Sequence, residues 1–202
     1  MKPIHLLILS AFILSAGAYA DSKKYRNDIN PKRYNSVWEK QFETASRLDY
    51  DPEKKTFDFY VKESLFLSGF TMTRENADQL IKAIEKYEEW NKKAIEKEVT
   101  LEKDISEISL KDIFWQSGDD WRFSGKTQTT ASFFSQSKTR HQFILMFPKV
   151  TDKYNKYSDH KPDIIYFDFA EAVKFKEALK EESIKAFLKK TEEQAKIDAE
   201  FN

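Results

Sequence analysis

The chain has 202 residues and carries 34 basic against 34 acidic side chains, a formal net charge of zero, so the basic excess by which a nucleic-acid binder shows itself is missing. Cysteine is absent, which excludes disulfides, thiol catalysis and cysteine metal centres. The one compositional excess is aromatic: 15% of residues, with 17 Phe, 9 Tyr and 4 Trp.

Lys2 precedes an apolar run, Ile4 to Leu14, and small residues ending Ala18-Tyr19-Ala20. This is the pattern of a secretory signal peptide cleaved after Ala20. The run is shorter than the roughly 20 residues a spanning helix needs, so no membrane span is expected after cleavage. Loss of residues 1–20 removes Lys2 and no acid, leaving 33 basic and 34 acidic residues. Without cysteine or an N-glycosylation triplet, the reading is a bacterial periplasmic or secreted protein.

Residues 21–36 are polar and read as a flexible tether; a basic arm for anionic lipid or polysaccharide is the sharper alternative. A single α+β domain is expected over residues 37–188. Asp51-Pro52 is turn chemistry, and Thr44–Tyr50 is expected to pair with Thr56–Lys62, where Phe57, Phe59 and Val61 alternate. The stretch from Gly69 to Lys97 organises the rest. Thr73 is placed to cap a helix, Glu75 sits in its first turn, and Ala77, Leu80, Ile81, Ile84, Tyr87, Ala94 and Ile95 share one face. Asp78–Lys82 and Glu89–Lys93 are acid-before-base pairs on the other face.

Ile108, Leu110 and Phe114 read as one alternating strand ending at Trp115. Gly118-Asp119-Asp120 turns the chain into Trp121-Arg122-Phe123. Thr127–Phe134 and the apolar run in His141–Phe147 are further strands of a meander, which Pro148 stops. Residues 149–162 read as a long polar, Tyr-rich loop. Ile164–Phe167 is a strand, after which Asp168 and Glu171 have capping-box spacing. Ala172, Phe175 and Leu179 face inward, the stripe shifts phase near Glu182-Ser183, and residues 189–202 form a charged helical tail. The fold class is α+β, a mostly antiparallel sheet of about five to seven strands with two main amphipathic helices on one face.

Only His141 and His160 remain after cleavage, and the four glycines form no phosphate-cradling set. No catalytic residue, metal site or cofactor is assigned. Trp115, Trp121, Tyr154 and Tyr157 fall near turns, where an amphipathic ring can meet a sugar or a protein groove, and Asp159 and His160 lie beside them. Together they are the candidate ligand-binding residues of a non-enzymatic module with a protein or glycan partner in the envelope. The alternative is a cell-wall or carbohydrate hydrolase using Asp119, Asp120 or Asp159 as paired carboxylates. A loose metal set of Asp152, Asp159 and His160 is weighed below a solvated loop, and a third reading is self-association through the C-terminal helix.

Overall fold

The computed structural model describes residues 23–63 and 66–201; the expected signal segment, residues 1–20, lies outside the described residues. Alternation in the strands divides fourteen of them between two six-stranded antiparallel sheets and a hairpin. In spatial order the first sheet is β1 (Lys23–Arg26), β4 (Ser46–Asp51), β5 (Thr56–Glu63), β6 (Phe66–Thr73), β8 (Asp112–Ser117) and β9 (Asp120–Phe123). The second is β3 (Lys40–Glu43), β2 (Lys32–Asn35), β14 (Ile165–Asp168), β11 (His141–Met146), β10 (Thr127–Ser135) and β7 (Glu102–Leu110). Strands β12 (Val150–Asp152) and β13 (Asn155–His160) pair only with each other, and the helices are α1 (Arg74–Glu96), α2 (Phe169–Leu179) and α3 (Glu181–Glu200). The α+β, mostly antiparallel class is as expected, with two sheets of six strands.

One apolar face of each sheet is used up in a shared core. Leu48, Phe57, Phe59, Phe70 and Ile113 line it from the first sheet, and Ala131, Phe133, Phe143, Leu145 and Phe167 from the second. Phe175 of α2 joins the two, its ring centroid 4.6 Å from Phe59 and 5.4 Å from Phe167. Helix α1 begins with a capping box: Thr73 Oγ1 accepts from Asn76 N at 3.3 Å and Asn76 Oδ1 accepts from Thr73 N at 3.0 Å. Its buried stripe is Ala77, Leu80, Ala83, Ile84, Tyr87 and Ala94. Tyr87 donates its buried hydroxyl to the His141 carbonyl at 2.9 Å, and burial pushes its pKa up.

Several expectations are corrected. Residues 23–35 are not a tether, because β1 pairs with β4 and β2 with β14, and Ile29 between them is buried in the core. Polar composition misled because both strands are short, with no fully buried residue of their own. Leu110 and Phe114 belong to different sheets, so the apparent alternation across Lys111 spans a passage from one sheet to the other. The expected loop at residues 149–162 contains the β12–β13 hairpin. Asp168 precedes α2 without capping it; its side chain is taken by Lys32 and Gln142, and Glu171 accepts instead from Asn30 N at 2.6 Å. Asp78 pairs with Arg74 at 2.5 Å rather than with Lys82, whereas Glu89–Lys93 forms at 2.5 Å. The helix break falls at Lys180 (ψ 147°), where Arg74 Nη1 donates to the Leu179 carbonyl at 2.5 Å. Ile81 is only partly buried and Ile95 is exposed.

This difference along α1 is measurable. Ile84 has 0% exposure, so Ile84→Asp is expected to cost more than about 3 kcal/mol, the cost of burying an unpaired charge or undocking the helix. Ile81→Asp is expected to cost less, and equilibrium urea unfolding of the two variants checks the order.

Candidate functional site

Because the first sheet commits its Leu48–Phe59–Phe70–Ile113 face to the core, side chains one residue along each strand point outward. Register sorts these into two rows. One runs Arg47, Tyr60, Gly69, Phe114, Phe123 across β4, β5, β6, β8 and β9. The next runs Asp49, Asp58, Thr71, Asp112 across the first four of those strands, with Lys24 of β1 opposite Asp49. An aromatic row therefore lies beside a row of carboxylates and a hydroxyl. Tyr60, Phe114 and Phe123 of the first row and Asp58, Thr71 and Asp112 of the second line a groove of about 550 Å³, to which Trp121 and Tyr154 add rings and Lys54, Lys111 and Lys153 add amines.

The aromatic row is built on a glycine. A Cβ at Gly69 would lie 2.2 Å from the Phe59 carbonyl oxygen and 2.6 Å from Phe114 Cζ, so the Phe114 ring occupies the space a side chain would take. Tyr60 at 4.9 Å and Trp121 at 5.7 Å, centroid to centroid, then flank Phe114. Arg47 holds the far end, with its guanidinium carbon 4.3 Å from the Tyr60 centroid and Nε 2.9 Å from Asp49 Oδ2. Trp121 stays 40% exposed at the other end and Tyr154 of the groove is 81% exposed, leaving both rings available to a ligand.

Burial dominates the electrostatics of Asp49 and Asp58. It pushes the Asp58 carboxyl above its ordinary range, against a 2.6 Å hydrogen bond donated by Thr71 Oγ1 and the nearby Lys111 charge. Asp49 is pushed up by burial too, with Arg47 opposing and Asp58 adding to the rise. Asp49 Oδ1 is buried without a hydrogen-bond partner. Asp112 accepts from Gly125 N at 2.5 Å and lies 3.5 Å from Lys153 Nζ. Lys153 in turn lies over the Phe123 and Tyr154 rings at 5.2 and 5.1 Å and donates its backbone N–H to the Phe123 carbonyl at 2.8 Å. The β12–β13 hairpin thus forms one wall of the groove.

Of the residues singled out in the sequence, the structure brings Trp121 and Tyr154 together in this groove. Trp115 faces the core side, 4% exposed, and stacks on His160 at 5.2 Å. His160 Nε2 lies 3.3 Å from Glu63 Oε2, both side chains being largely buried, so this pair fastens the hairpin rather than meeting a ligand. Tyr157 is 84% exposed and does not line the groove. Asp159 is held by Thr151 and Lys149, each at 2.7 Å. Asp119 in the β8–β9 turn and Asp120 at the start of β9 are exposed, Asp120 lying 3.5 Å from Arg122, so the carboxylates first considered for hydrolysis are not sheltered there. Asp152 pairs with Arg122 at 3.3 Å, which turns Asp152, Asp159 and His160 to three different partners.

The residues missed were Asp58, Tyr60, Thr71, Asp112 and Phe114. Asp49 and Asp58 face one another across the β4–β5 hairpin, one residue out of the register that pairing Thr44–Tyr50 with Thr56–Lys62 gives, in which Asp49 meets Phe57. Phe114 was hidden because it resembles a core residue and only Gly69 beneath it explains its outward place. No family model, curated protein or solved structure matches the chain. The site is therefore argued from its own geometry.

Gly69→Ala is expected to destabilise the fold by about 1–3 kcal/mol, the usual cost of overpacking, and to displace Phe114, read as a changed near-ultraviolet dichroism. A second expectation concerns Glu63. Burial raises its pKa, but the close approach of His160, with Ser68 and the Asp163 backbone N–H, outweighs this and lowers it overall. Its contribution to stability is then complete above the unfolded glutamate pKa of about 4.3. It disappears as pH falls through the depressed folded value. Melting temperature measured from pH 6 to pH 3 should fall less steeply for Glu63→Gln than for the parent.

Proposed function

We propose that the chain is an exported bacterial envelope protein, periplasmic or secreted, that binds an uncharged glycan in the outer groove of its first sheet. Export rests on the signal pattern of residues 1–20. The observation that carries the binding reading is the pairing of rows: rings for the apolar face of a sugar, with carboxylates and a hydroxyl one row away for its hydroxyl groups. Charge supports a neutral ligand. The groove's Asp51, Asp58 and Asp112 are matched in number by Lys54, Lys111 and Lys153, two of the acids already paired with Lys54 and Lys153. Trp121 supplies the exposed platform.

Isothermal titration with cellohexaose, chitohexaose and maltohexaose tests the reading. At least one is expected to bind. Trp121→Ala should weaken it about tenfold, equivalent to about 1.4 kcal/mol, and Tyr157→Ala should leave it unchanged. Sensitivity to Tyr157 without sensitivity to Trp121 would move the ligand off this groove.

A further inference from the structure

Two carboxylates of the groove leave the same face of the sheet two strands apart. Asp58 and Asp112 lie in the same cross-strand row, separated only by Thr71. Two strand spacings put their backbones roughly 9.5 Å apart. Inverting glycoside hydrolases hold their acid and base carboxyl groups about 6.5–9.5 Å apart, leaving room for a water between base and sugar. Both residues line the groove, and the aromatic row runs alongside them.

We propose that the groove cleaves the glycan it binds by inversion, with Asp58 as general acid and Asp112 as general base. The proposal rests on the binding reading above and goes beyond it. Asp58 gives its proton to the glycosidic oxygen as the bond from that oxygen to the anomeric carbon breaks. A water loses a proton to Asp112 and its oxygen bonds to the anomeric carbon from the opposite side. One water is consumed, two sugar hydroxyls result, and the proton gained by Asp112 returns to Asp58 through solvent. No redox partner or cofactor enters.

The surroundings of the two groups differ. Asp58 is sheltered, and Asp49 stands directly across from it on β4 with its Oδ1 buried and unpartnered. An acceptor in that position is satisfied by a hydroxyl proton, which a protonated Asp58 can supply. Two carboxyl groups held side by side resist double ionisation, and burial favours the neutral form of both. Lys111, Lys54 and Asp51 also face Asp58, while Arg47 and Lys24 face Asp49. Asp112, by contrast, has a donor at each oxygen, the Gly125 amide 2.5 Å from Oδ1 and Lys153 Nζ 3.5 Å from Oδ2. The acids read from the sequence, Asp119, Asp120 and Asp159, offer no such contrast.

The test incubates the full mature chain with cellohexaose, chitohexaose and maltohexaose and follows new reducing ends. Proton NMR of fresh product reads the anomeric configuration. The expected result is cleavage of a bound hexasaccharide with inversion. Asp58→Asn and Asp112→Asn should each lower the rate at least a hundredfold, within the 10²–10⁴ range of acid–base catalysis, while Tyr157→Ala keeps the parent rate. Asp112→Asn serves as the second variant should Asp58→Asn not fold, as judged by its melting transition. Binding without cleavage overturns the hydrolytic proposal and leaves the binding reading standing. Cleavage with retention, or cleavage insensitive to both substitutions, also overturns it. Failure of every hexasaccharide to bind overturns both readings.

Discussion

The contact on which the fold depends is the ring of Phe175, set between Phe59 of one sheet and Phe167 of the other. A strand presents alternate residues to alternate faces, so a sheet that gives one face to this core leaves the other outside it. Both sheets meet that condition. On the first, the outward face is far from uniformly polar: Phe114 is buried there, wedged over Gly69 between Tyr60 and Trp121. Aromatic excess in the composition therefore has two destinations, a core between the sheets and a row on the outside of one of them.

Close pairing governs the chemistry of that outer face. Arg47 serves Asp49 and Tyr60 together, Lys153 serves Asp112 and two rings, and Lys54 serves Asp51. These pairs are local, so the chain carries many charges without a field of one sign. Asp58 stands apart. Its single side-chain hydrogen bond comes from Thr71, and burial rather than a cation sets its protonation. The β12–β13 hairpin is fixed behind this region by His160 against Glu63 and Trp115, which makes the wall carrying Lys153 part of the folded body.

Much of this was legible in the sequence, and for identifiable reasons. Strong periodicity gave helix α1 and its Thr73 cap, the β4–β5 hairpin followed from Asp51-Pro52, and α+β class followed from both. Trp121 and Tyr154 could be picked out because rings near turns have few neighbours to bury them. What stayed hidden depended on long-range partners. Trp115 looked like a turn residue until β6 and His160 covered it. Lys23–Arg26 and Lys32–Asn35 looked like a tether because edge and near-edge strands need little apolar content. The polar row required knowing that β8 adds to β6, a pairing between residues more than 40 apart that no local pattern encodes.

The central claim is that the outer face of the first sheet is the working surface. Heteronuclear NMR of the mature chain, titrated with the three hexasaccharides, tests it most directly because it locates the contact without presupposing any activity. The account predicts shifts concentrated at the amides of Asp58, Tyr60, Thr71, Asp112 and Phe114 and at the Trp121 indole. Shifts confined to the Tyr157 hairpin tip or to the β2–β3 hairpin of the second sheet would contradict it.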